Sequence, residues 1–123
     1  MVNYFDDDEN RHWPERALQL WQILIGKAHN QQLVTYGELR DILGFGGAGV
    51  FAQPLGHIAY YCDREDLPPL TTVVIKEDTG EPGDGIPVKN IHKNRMKVFA
   101  YDWYRMIPPT PDEFEEAWER GGA

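Results

Sequence analysis

What most limits the folds open to this chain is a change of hydrophobic period at Pro68-Pro69. Upstream, apolar residues recur at about 3.6-residue spacing; downstream, the β-rich run Leu70-Thr71-Thr72-Val73-Val74-Ile75 is bounded by turn signals and reads as a strand with a period of about 2. Ala17, Leu18, Leu20, Trp21, Leu24 and Ile25 form one helical stripe, with Pro14 suited to the first turn because its missing N–H costs nothing there. This predicts a helix near 15–28. Thr35 with Glu38 three residues on is a capping box, so a short helix near 36–43 follows, with Leu39, Ile42 and Leu43 as its buried face. Gly44-Phe45-Gly46-Gly47-Ala48-Gly49 is the turn, and Phe51, Leu55, Ile58 and Ala59 mark a further helix near 50–61. Pro54 must then lie in its first turn or kink it.

Beyond the double proline the expectation is a strand at 71–76, a Gly/Pro turn through Gly80-Glu81-Pro82-Gly83-Asp84-Gly85, and a return strand at 86–90. Val98, Phe99, Trp103 and Met106 keep helix-like spacing, and Pro108-Pro109-Thr110-Pro111 stops that element. Thr110 or Asp112 opens a short acidic helix through Trp118. The order is that of an α+β domain: a helix-turn-helix with a β-hairpin wing, winged-helix-like, plus a short C-terminal acidic helix. Residues 1–13 read as an acidic, flexible N-terminus, 14–106 as the winged-helix-like domain, and 107–123 as the Pro-bounded acidic helix. One domain is what 123 residues predict.

Charge is unevenly placed. The whole chain carries -8, but residues 86–106 hold one acid, Asp102, against Lys89, Lys93, Arg95, Lys97 and Arg105, net +4. Residues 1–20, 21–85 and 107–123 are each acidic, at -3, -5 and -4. An acidic chain argues against a protein that coats DNA, since phosphates want Lys and Arg; the basic island softens that objection. No apolar run approaches the roughly 18 residues that span a membrane, so no membrane partner is expected. Met1 to Glu9 is acidic and unlike a signal peptide, and a single Cys excludes an internal disulfide framework; both fit a reducing cytoplasm.

No constellation of residues marks an active site. Cys62 falls at the end of an apolar helix with no His or Asp at a nucleophile-type spacing, and reads as a buried structural thiol. His12, His29, His57 and His92 are scattered, so no metal and no cofactor is expected. The Gly44–Gly49 stretch lacks the Lys-Ser/Thr pair of a phosphate-binding loop. Among the tryptophans, Trp21 and Trp103 read as core, and only Trp13 or Trp118 as surface. Glu113, Glu115, Glu116 and Glu119 read as a solvated helix face.

Leu20-Trp21, Val34-Thr35-Tyr36-Gly37-Glu38-Leu39 and Ala52-Gln53-Pro54-Leu55-Gly56, followed by a Pro-rich approach to a strand, resemble the DNA-binding domain of O6-alkylguanine-DNA alkyltransferases and alkyltransferase-like proteins. The resemblance covers about residues 17–86. It implies a winged-helix-like fold, duplex DNA as partner, and Tyr36 near the DNA backbone. The family's reactive strand reads Pro-Cys-His-Arg; here Leu70-Thr71-Thr72-Val73-Val74 stands in its place, so alkyl-acceptor chemistry is not expected. Where the family inserts an Arg into the base stack, this chain has Gln53, a neutral amide able to read an adenine edge.

Two readings follow. In one, the protein binds DNA without catalysis: Lys89, Lys93, Arg95 and Lys97 grip phosphates, while Thr71, Thr72 and the 50–57 helix with Gln53 approach the groove. In the other, it is an interaction module whose acidic ends bind a basic protein surface, in the extreme a nucleic-acid mimic such as a phage or defence-related inhibitor. The net charge favours the second and the basic island the first. Oligomeric state is left open.

Overall fold

The computed structural model describes residues 12–44, 50–77 and 90–122. It is α+β and mostly helical, with five α-helices and one two-stranded parallel sheet among those residues. Helix α1 runs Trp13–His29, and its inward stripe is Ala17, Leu20, Trp21, Leu24, Ile25 and Ala28. Pro14 sits in the first turn, Glu15 lies near the positive N-terminal end, and Lys27 and His29 lie near the negative C-terminal end, so charge and dipole agree.

Strand β1 (Val34–Thr35) leads directly into α2 (Tyr36–Leu43). The capping box forms as expected: Glu38 N–H donates to Thr35 Oγ1 at 3.1 Å and Thr35 N–H donates to Glu38 Oε1 at 3.0 Å. The Thr35 N–H, and with it the Thr35 hydroxyl at 3.2 Å, donate to the Glu38 carboxylate and hold its pKa below the ordinary value. Only Leu39 of α2 is fully buried, Leu43 is half-buried and Ile42 stands out in solvent, so the buried face is narrower than the sequence implies. Gly44 closes the helix in the left-handed conformation (φ 73°), where a side chain would be strained. Residues 45–49 of the Gly-rich turn lie outside the described residues. Helix α3 (Ala52–Arg64) follows, with Pro54 in its first turn and an end two residues beyond Cys62.

After Pro68-Pro69 the structure departs from expectation. Leu70–Val73 is a 3-10 turn and not a strand; Thr72 N–H donates to Pro69 O at 3.0 Å. All four of its side chains are buried, so the run has no alternation of inner and outer faces for a half-solvated strand to use. Only Val74–Ile75 is extended, as β2, and it pairs in parallel with β1, Val34 against Val74. The hairpin with 86–90 is therefore not the pairing seen here; residues 78–89 lie outside the described residues.

Helix α4 (Ile91–Ala100), a short 3-10 turn (Trp103–Arg105) and α5 (Pro111–Gly122) complete the chain, so the helix-like spacing across 91–106 belongs to two separate pieces. Thr110 is the residue that opens α5, through a second capping box: Glu113 N–H donates to Thr110 Oγ1 at 3.2 Å and Thr110 N–H to Glu113 Oε1 at 3.1 Å. Helices α1, α3 and α5 pack together around Trp21, which meets Tyr61, Trp103 and Phe114 with ring centroids 5.8, 5.6 and 5.9 Å apart. Edge-on aromatic contacts of this kind add about 0.5–1.5 kcal/mol per pair beyond the area they bury. Helix α5 belongs to this core, since Phe114 and Ala117 are buried in it. No helix among the described residues is long and apolar enough to cross a membrane.

Candidate nucleic-acid interface

The basic island becomes α4. Its residues divide cleanly by spacing. Val98 is buried and Ile91, Asn94, Arg95 and Phe99 are half-buried, while His92, Lys93, Met96, Lys97 and Ala100 are exposed. Steps of one and three residues put those five on one face. The helix has no side-chain N-cap bond at Asn90, whose φ is 53°, and buries little by itself. Neighbours hold it instead. The Trp103 indole N–H donates to Val98 O at 2.8 Å, satisfying a carbonyl of the last turn from inside the core. Arg95 Nε donates to Thr72 O at 3.0 Å, which ties the middle of α4 to the 3-10 turn.

Exposure and pairing then separate the cations. Arg40 faces Glu77 at 3.6 Å, Arg64 faces Glu65 at 3.1 Å and Glu116 at 3.4 Å, Arg105 faces Asp102 at 3.1 Å, and Arg120 faces Glu116 at 3.4 Å. Lys93 and Lys97 have no carboxylate partner among the described residues. They lie one turn apart on the open face of α4, with His92 beside them and Met96 between them, 64% exposed. A surface recess of about 540 Å³ opens at the start of the same helix, beside Asn90, Ile91, His92 and Lys93.

The eight residues singled out in the sequence are thus scattered. Lys93 and Lys97 are where a phosphate can reach them. Arg95 is on the same helix but turned inward as a clamp; its Nη2 is buried without a hydrogen-bond partner among the described residues. Thr71 and Thr72 are 0% exposed, so neither reaches a groove surface, and their hydroxyls find no hydrogen-bond partner among the described residues. Lys89 lies outside the described residues. Tyr36 opens α2, half-buried, its ring 6.2 Å from that of Phe51. Gln53 is exposed in the first turn of α3. His92 and Met96 share the open face and were missed, although the alternating spacing along 92–100 was there to be read.

Helix α3 is more enclosed than a groove-reading helix. It buries Pro54, Leu55, His57, Ile58, Tyr61 and Cys62. Two of its half-buried residues meet α5: Gly56 lies directly beneath the Trp118 ring, and Tyr60 lies against Gly121, so closely that a Cβ at either glycine would collide. His57 stacks on Trp118 with centroids 4.7 Å apart and planes 5° from parallel, and its Nδ1–H donates to Gln53 O at 2.6 Å. Burial pushes the His57 pKa down, against a smaller upward pull from that bond. Cys62 is buried, and burial pushes its thiol up to about 12. Of the four tryptophans, Trp21 and Trp103 are core, and Trp13 and Trp118 are half-exposed.

The chain matches no family model, no curated protein and no solved structure.

Proposed function

We propose that this protein is a non-catalytic DNA-binding domain of winged-helix type, with α2 and α3 as its helix-turn-helix. The observation that carries the reading is the pair Lys93 and Lys97: two exposed lysines, side by side, without a carboxylate partner among the described residues, where Arg40, Arg64, Arg105 and Arg120 each face one. Two like charges one turn apart disfavour the free helix slightly, and a polyanion removes that cost. The resemblance to the alkyltransferase DNA-binding domain supports the same partner, duplex DNA. The state of Cys62 argues against thiolate chemistry at that residue, since a buried thiol with a pKa of about 12 supplies no thiolate at neutral pH. The test is fluorescence anisotropy with a labelled duplex in about 50 mM salt, repeated as salt rises. Affinity that falls with a log–log slope near -0.9 per phosphate contact supports the reading; no binding at the lowest salt refutes it.

The acidic alternative has an observation of its own. Asp63 on α3, Asp66 in the turn just after it, and Glu115 and Glu119 on α5 are exposed and have no cationic partner among the described residues, and α3 and α5 pack together. Retention on an anion-exchange resin but not on heparin, with capture of a cationic protein and no affinity for DNA, identifies that reading as the right one.

A further inference from the structure

Resting on the DNA-binding reading, we infer that the duplex is held through its phosphates by the open face of α4, and that α3 does not read its sequence. The middle of the α3 surface that a major groove would need is covered. Trp118 lies on Gly56 and Gly121 on Tyr60, and the helix that brings them, α5, cannot swing aside because Phe114 and Ala117 are core residues. The only arginine on α3, Arg64, is held by Glu65 and Glu116. Gln53 alone among its polar side chains is near the free end.

Two other routes are closed as well. Thr71 and Thr72 are wholly buried. The start of α2, a natural phosphate position, already holds a carboxylate: Gly37 N–H donates to Glu77 Oε1 at 2.6 Å, and Arg40 lies 3.6 Å from the same oxygen. What is left for an anion among the described residues is α4. Its lysines are flexible point charges, suited to phosphate oxygens and unable to discriminate bases as a planar bidentate group does. Binding through such contacts is sequence-independent.

The experiment compares a pool of random duplexes with two variants of the full chain. The expected result is no enriched motif after selection, with affinities for unrelated duplexes within about threefold of one another, as backbone contact requires. K93A/K97A should weaken all of them alike, by about tenfold, and flatten the salt slope by about two units. Q53A should stay within about twofold of wild type, because no base contact is lost. Circular dichroism of both variants checks that they fold; the substituted side chains are exposed. An enriched motif, or a Q53A loss as large as that of K93A/K97A, overturns the inference and leaves DNA binding standing. Binding that K93A/K97A does not weaken has the same meaning. Failure of the wild type to bind any duplex in about 50 mM salt overturns both.

Discussion

Helices α4 and α5 are close in length and adjacent in sequence, yet they use charge in opposite ways. Helix α5 begins with a capping box and Pro111, carries Asp112 and Glu113 in its first turn, and has Arg120 in its last. Each of these complements the helix dipole. One edge is fixed further by Arg64 and Arg120 converging on Glu116. Helix α4 has no side-chain cap and no acid in its first turn, and it depends on Trp103 and Arg95 for its position. In α5, charge works for the fold. In α4, Lys97 lies in the last turn and complements the dipole, but neither it nor Lys93 has a carboxylate partner among the described residues, and that is what leaves them open to a partner.

Substitutions should separate the two helices by what they change. The largest effect is expected at Phe114: F114A leaves a cavity beside Trp21 and Tyr61 and should cost about 3–5 kcal/mol, read by urea denaturation. A loss under about 1 kcal/mol would mean that α5 is not part of the core. G56A comes next. Ala favours a helix over Gly by about 1 kcal/mol, but the added Cβ meets the Trp118 ring, and overpacking costs about 1–3 kcal/mol. Net destabilisation is expected, and a stabilised variant would show that α5 rests only loosely on α3.

T110A removes the α5 cap and should cost about 1 kcal/mol in the same assay. A graded effect should come from His57. Its folded pKa is below the ordinary value of about 6.5, so the unfolded chain takes up the proton more readily. The contribution is fully present above about pH 6.5 and is lost as pH falls below it. Denaturation at several pH values should show this slope, and H57F should flatten it. The smallest effect on stability belongs to K93A/K97A, within about 0.5 kcal/mol of wild type. If the pair proves strongly stabilising, the contrast between the helices is wrong.

Much of the helical framework was legible. The stripe of α1, the Thr35–Glu38 box and the Thr110 start of α5 are local signals, and local physics decides them. The run from Leu70 to Ile75 was not legible in the same way. Its β-branched residues favour a strand, but Pro69 sets up a turn, and the surrounding helices bury every side chain from 70 to 73. Pairing of Val34 with Val74 joins residues forty positions apart in the sequence, and no window can show it. The site divides similarly. Counting charges locates the basic island, whereas only tertiary structure shows that Arg95 turns inward and that α5 covers α3.

Cys62 gives the molecule an internal gauge. It is the chain's single thiol, buried among α3 neighbours, with a pKa of about 12 that keeps it unreactive while the core is shut. A thiol reagent can reach it only when that part of the molecule opens. The labelling rate, compared with that of the unfolded chain, therefore measures how often the three-helix core breathes in native conditions. Addition of duplex DNA should slow the labelling if binding stabilises the closed domain as a whole. Without any engineered probe, one side chain reports the opening of the core and, where a duplex binds, the coupling of that opening to the ligand.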